Sequence, residues 1–242
     1  QAVSLAAPAV VSIQVARLKK KSDLSAKEQT LEKFLGQNSP HTPQFKTSIS
    51  SGSGVILDAR GYVATNYHVI KGAESLQTTL NDGRKTIARL IGDDPETDLA
   101  ILKIDLNNLP QAQIANASQL RIGDIALAIG YPFEIGQTVT QGITSATGRT
   151  QDSTNTYENF LQTDAAIHTG HPGGALINDM GGLVGINSLI FTETGVFNGI
   201  GFAIPIDLAI DVLGQIVKHG YVVRGWLGVG GQALTPPILI KL

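Results

Sequence analysis

Short runs of alternating apolar and polar residues, each closed by turn-forming residues, recur along the chain and narrow its possible folds more than any other feature. In "AVVSIQVA" (9–16), Val11, Ile13 and Val15 alternate with Ser12 and Gln14, the two-residue period of a half-buried strand. The same reading predicts strands at 53–58, 61–66, 84–92, 98–105, 124–130, 138–149, 174–178, 182–190 and 199–204. Turns at 58–61 (DARG), 81–83 (NDG) and 180–182 (MGG) separate them. Many short strands at this spacing point to an all-β barrel or sandwich and not to alternating β/α units.

Two segments depart from that pattern. Over 205–220, Leu208, Val212, Leu213, Ile216 and Val217 recur at helical spacing. Pro205 opens the run, Lys218 and His219 fall in its last turn, and Gly220 suits a C-terminal cap, so a late amphipathic helix is predicted. The polar stretch 17–52 reads as a long surface loop. It holds one helical segment at 25–36, with Ser25 and Glu28 in capping-box spacing, Leu31, Phe34 and Leu35 on one face, and Gly36 as a stop. The basic run of Arg17 and Lys19 to Lys21 reads as a solvated strand end. Residues 225–242 read as a linker and the truncated start of another domain, and no solenoid-type repeat is present.

Composition excludes several classes. A net charge of −2 gives no electrostatic reason to expect nucleic acid as a partner. No apolar run reaches the roughly 18 residues of a membrane-spanning helix, and the absence of cysteine removes disulfides and thiolate metal sites. The 242 residues suffice for one large all-β domain or two small lobes.

Three features carry chemistry only when taken together. His68 follows an apolar strand, Asp98 opens another, and Gly170, Gly173 and Gly174 form a glycine-rich loop. Singly, each has a bland reading as a packed histidine, a strand-end aspartate and a turn. Their chain order is that of the chymotrypsin-type triad. There an imidazole accepts and returns a proton, a buried carboxylate orients it, and backbone N–H groups hold an oxyanion.

"SGSGVILDARGYVATNYHVI", "DPETDLAILKID", "NFLQTDAAI" and "GIGFAIPIDLA" closely resemble the HtrA/Deg family of ATP-independent serine proteases, over about residues 5 to 230. The likeness is closest to its periplasmic DegS/DegQ branch. The resemblance implies a trypsin-like double six-stranded β-barrel with a C-terminal helix over 1–224, followed from residue 225 by the entry into a PDZ domain. It implies His68 as general base, Asp98 as its orienting acid, position 172 as nucleophile and the 170–171 turn (Gly170, His171) as oxyanion hole. Ala166 and Ile167 would line the primary specificity pocket, whose lack of charge implies a preference for small or medium apolar side chains. It also implies polypeptide substrates (unfolded envelope proteins or a transmembrane anti-sigma factor), a homotrimer, a periplasmic location and no cofactor. Membrane attachment is expected only through an N-terminal anchor outside the chain.

One loop departs from the family pattern. Where the family has Gly-Asn-Ser-Gly-Gly, this chain has Gly170-His171-Pro172-Gly173-Gly174, and His168 stands where the family has asparagine. Proline has neither a hydroxyl nor a backbone N–H, so it removes both the nucleophile and an oxyanion donor. The hydroxyls of Thr169 and Ser188 are expected in surface or packing roles. His168 and His171 lack a third ligand for a metal. The expectation is a serine endopeptidase by lineage whose present chain does not cleave; the alternative is a natural pseudoprotease acting as chaperone, scaffold or decoy.

Overall fold

A computed structural model of the chain describes residues 1–20, 45–132, 136–150, 159–168, 170–190, 198–225 and 228. A short helix (Ala2–Ala6) and a 3-10 turn containing Pro8 lead into β1 (Val10–Lys20). The next strands are β2 (Phe45–Ile56), β3 (Tyr62–Asn66), β4 (Ser75–Thr79), β5 (Lys85–Ile87), β6 (Arg89–Asp94) and β7 (Leu99–Lys103). They form one antiparallel sheet in the order β5-β4-β1-β2-β3-β7-β6. Its two edge strands, β5 and β6, are separated in the chain only by Ala88, whose N–H donates to the Leu76 carbonyl at 2.9 Å. The run 85–94 is therefore one strand bent at Ala88, which curls the seven labelled strands around six continuous runs of chain.

The second lobe comprises β8 (Ile125–Gly130), β9 (Thr138–Arg149), β10 (Phe160–Thr163), β11 (Ala175–Ile177), β12 (Leu183–Ile190) and β13 (Gly201–Pro205). These close into a six-stranded barrel in the order β10-β13-β12-β11-β8-β9. The fold is thus all-β and trypsin-like, with the helix Ile206–His219 after the last strand. Gly220 ends that helix at φ 82°, a left-handed conformation that favours glycine, and its N–H caps the Ile216 carbonyl at 2.8 Å.

Many strands are buried on both faces. In β7, Ala100 and Leu102 enter the core of the first lobe with Val11, Ile13 and Val63. Leu99 and Ile101 point the other way, into a core shared with Ile129, Ile177, Ile186 and the helix residues Val212 and Ile216. That shared core joins the lobes, and the candidate site lies along the seam above it.

The polar stretch expected as a loop over 17–52 is shorter than that. β1 runs to Lys20 and β2 starts at Phe45, paired without interruption from Val10↔Val55 to Lys20↔Phe45. Ladder hydrogen bonds need only backbone, so the ribbon continues where its side chains have turned polar. The predicted helix at 25–36 and nearly all of 225–242 lie outside the described residues.

Candidate active site

The pairing of β3 with β7 fixes the first two residues. Asn66 is opposite Leu99, so the chain leaving β3 and the chain entering β7 meet at one end of the sheet. Residues Tyr67–Ile70 form a single helical turn there. The Asp98 carbonyl accepts from the Tyr67 N–H at 3.0 Å and from Asn66 Nδ2 at 3.1 Å. Asp98 itself sits at φ 58° in the left-handed region, uncommon for a residue other than glycine and tolerated by a short polar side chain.

That backbone turn aims the Asp98 carboxylate at His68. The His68 N–H donates to Oδ1 at 2.9 Å, and the ring Nδ1 lies 2.7 Å from Oδ2. Asp98 is only 6% exposed, whereas the His68 side chain is 48% exposed at the cleft. With Nδ1 donating to the carboxylate, Nε2 is the ring atom left to receive a proton, the arrangement a general base requires. Ser188 Oγ also donates to Asp98 Oδ2, at 3.2 Å, from a fully buried position on β12. Expected in a surface or packing role, Ser188 instead completes the hydrogen bonding of the carboxylate.

The glycine-rich loop is held from both lobes. The first lobe contributes Ser53, whose N–H donates to the Pro172 carbonyl at 2.9 Å and whose Oγ donates to the Gly170 carbonyl at 2.7 Å. The second lobe contributes Asn187, whose carbonyl accepts from the Gly173 N–H and whose N–H donates to the Gly174 carbonyl, both at 2.8 Å. Gly173 has φ +84°, and a Cβ there would lie 2.0 Å from the Ser53 carbonyl oxygen, so only glycine fits.

His171 differs from its expected place in an oxyanion hole. Its N–H donates to the His168 carbonyl at 2.9 Å, which removes it as an oxyanion donor, and its ring is fully buried. Ring Nδ1 accepts the His168 N–H at 3.2 Å, leaving the proton on Nε2, which has no partner among the described residues. Burial, reinforced by the neighbouring charge of His168, lowers the His171 pKa to about 4. The His168 and His171 rings lie 5.8 Å apart, and no group of three or more metal-ligating side chains occurs among the described residues.

Between the lobes lies a cleft of about 450 Å³, walled by His68, Ile167, His168, Gly170, Pro172 and Ser188 among others. Of the two predicted pocket residues, buried Ile167 lines it. Ala166 is half-buried and offers its carbonyl to Thr140 Oγ1 at 2.7 Å. Thr169 lies outside the described residues. Arg17, expected on a solvated strand end, lines the cleft instead. Its guanidinium donates to the Lys71 carbonyl at 2.8 Å and also to the Val69 carbonyl and Ser50 Oγ. It therefore braces the end of the turn that carries His68.

A model of the trypsin-like peptidase domain family matches residues 52–186. Among curated proteins, the chain is 43% identical over 239 residues to serine endoprotease DegS of Escherichia coli (strain K12), covering 97% of this chain and 62% of that one. It is also 43% identical over 241 residues to "Probable periplasmic serine endoprotease DegP-like" of Pseudomonas putida (strain W619), covering 94% of this chain and 50% of the relative. The chain belongs to the HtrA-type serine proteases. Among solved HtrA-type structures, AlgW with a decapeptide superimposes with a TM-score of 0.84 at 49% identity, covering 99% of this chain and 74% of that one. AlgW with a tripeptide gives 0.83 at 48%. The chain thus spans about half of the DegP-like relative and about three-fifths of DegS.

Proposed function

We propose that this chain is the protease domain of an HtrA-type endopeptidase of the bacterial envelope whose cleft takes up polypeptide but, with Pro172 at the nucleophile position, does not cleave it. The observation that carries this reading is the His68–Asp98 pair at 2.7 Å, sharing one cleft with a residue that has no hydroxyl. In the lineage's chemistry His68 is the general base, Asp98 orients it, Gly170 supplies an oxyanion N–H and Ile167 walls an apolar specificity pocket. Loss of a triad serine costs about 10⁶ in rate, and loss of one oxyanion donor about 10²–10³; the two losses do not add, because the groups act as a unit.

The names of the relatives support a periplasmic location, and the peptides in the AlgW structures support polypeptide as the ligand. Unfolded envelope proteins or a transmembrane anti-sigma factor are the proposed targets, residues 225–242 are the proposed entry into a PDZ domain, and a homotrimer is the proposed assembly. A monomer in sedimentation at micromolar concentration would count against the last. A second reading, a natural pseudoprotease, draws support from the clustering of His168, His171 and Pro172 in one loop that keeps its backbone hydrogen bonds.

A serine-directed fluorophosphonate followed by peptide mass spectrometry across 161–178 tests the site. The expected result is an unlabelled peptide with the mass of proline at 172, and labelling there refutes the proposal. Pro172→Ser then separates the two readings. Recovered casein cleavage identifies an endopeptidase silenced at one residue, and continued silence identifies a loop adapted to another role.

A further inference from the structure

A helical turn as short as Tyr67–Ile70 is a weak mount for a proton-transfer group, because it closes few hydrogen bonds of its own. The Lys71 N–H closes it on the Tyr67 carbonyl at 2.9 Å. Further support comes from outside the turn, at both of its ends. At the first end Asp98 takes the N–H groups, that of Tyr67 on its carbonyl at 3.0 Å and that of His68 on Oδ1 at 2.9 Å. At the other end the Arg17 guanidinium takes the carbonyls. Nε donates to Lys71 at 2.8 Å and Nη2 to Val69, while Nη1 donates to Ser50 Oγ on the cleft wall. An acid at the amino end and a cation at the carboxyl end match the partial charges that a helical turn leaves on its unpaired N–H and C=O groups. Arg17 follows Val15 on one face of β1, where that face leaves the first-lobe core, and the neighbouring Ala16 carbonyl accepts the Glu74 N–H at 2.9 Å.

From this clamp we infer that Arg17 is a positioning residue for His68. This rests on the reading of His68 as the lineage's general base. Arg17 acts through the backbone, by fixing Val69 and Lys71 against Ser50. With only its Asp98 end held, the turn could swing the imidazole off the carboxylate. With both ends held, Nδ1 stays 2.7 Å from Asp98 Oδ2, and Nε2 is kept as the proton acceptor. The guanidinium suits this task because its planar fork reaches three acceptors at once, which an ammonium on a flexible stem does not.

The test reads the His68 tautomer and needs no cleavage. A free neutral imidazole in water favours the Nε2–H form, whereas the bond to Asp98 selects Nδ1–H. Ring-nitrogen NMR of the intact chain, with isotope-labelled histidine and the His68 signals assigned by their loss in His68→Gln, distinguishes the two at a pH where imidazoles are neutral. The wild type should show the Nδ1–H form. In Arg17→Ala the Nε2–H fraction should rise at least about tenfold, as the loss of bonds from a charged donor implies, while urea unfolding still shows a folded chain. Arg17→Lys, which can still donate to the two carbonyls, should return most of the Nδ1–H form. An unchanged His68 spectrum in Arg17→Ala overturns the inference and leaves the His68–Asp98 pair standing. A change that appears only with partial unfolding, or that Arg17→Lys does not lessen, also overturns it and makes Arg17 a general support of the first lobe. A wild-type spectrum without the Nδ1–H form overturns the pair itself, and the general-base reading with it.

Discussion

Among the described residues, His171 carries the largest departure of a titrating group from its ordinary behaviour, and the main cause is burial. The imidazole is enclosed, Nδ1 accepts a backbone N–H and Nε2 has no partner, so the neutral form is the one that fits. With the folded pKa lowered to about 4, the unfolded chain binds the proton more readily than the folded one. Stability from this residue is therefore complete above the unfolded value near 6.5 and is lost as pH falls toward 4. Between pH 7.5 and 5 the loss is on the order of 2 kcal/mol. His171→Asn, which restores the residue type of the family motif, should flatten that segment of the curve in urea unfolding; an unchanged pH slope refutes the assignment. At this scale the sequence was legible where chemistry dictates the residue type. His68, Asp98 and the glycines of the loop stood out because proton transfer and tight turns admit few alternatives. Ser53 and Ser188 did not, because a hydroxyl within a strand carries no pattern until its partner across the seam is known.

The elements were legible in proportion to their apolar periodicity. β4 escaped the sequence reading because its inward positions are Leu76 and Thr78, the latter fully buried, and a threonine there erases the hydrophobic alternation. β10 is four residues long and ends in buried Thr163, too short for a period to register. One contact between elements has consequences for the site. Arg224, beyond the C-terminal helix, donates to both Asp94 oxygens, with Nη1 to Oδ1 at 2.7 Å, and its Nε lies 3.2 Å from Glu96. Asp94 is 3% exposed and ends β6, just before the turn that delivers Asp98. Burial alone would raise the Asp94 carboxyl, but the hydrogen bonds from Arg224 and Thr97 outweigh it and hold the pKa below the ordinary value. The wild type should therefore lose this contribution as pH falls through the carboxylate range. Arg224→Ala strands the buried charge and should cost about 3 kcal/mol near neutral pH. In Arg224→Ala the sign should reverse, with acid relieving part of the loss by neutralising Asp94. A double-mutant cycle with Asp94→Asn reads this directly, and additive losses would show that the pair is not coupled.

At the scale of the whole molecule, the two lobes are joined by more than apolar burial, and Ser53 is one polar joint between them. Its N–H and Oγ hold the Pro172 and Gly170 carbonyls of the second lobe, and its Oγ accepts the Tyr131 N–H at 2.9 Å. Its own carbonyl accepts from Thr65 Oγ1 at 2.7 Å within the first lobe. Strand spacing alone predicted an all-β barrel or sandwich but could not show that one β2 residue would reach across the seam and grip the loop expected to carry the nucleophile. Ser53→Ala keeps the backbone bonds and removes only the hydroxyl, leaving the Gly170 carbonyl and Tyr131 N–H unpartnered. Each orphaned buried group costs about 1–3 kcal/mol, so a total loss of about 3 kcal/mol is expected in urea unfolding with an unchanged denaturant slope. The decisive readout is where hydrogen exchange accelerates. Faster exchange confined to 129–131 and 170–175 identifies Ser53 as the latch of the seam, because only the partners of its hydroxyl are released. Acceleration spread through β1, β2 and β3 would instead mean that the hydroxyl supports the first lobe in general, and the loop would owe its position to Asn187 and the Ser53 backbone N–H.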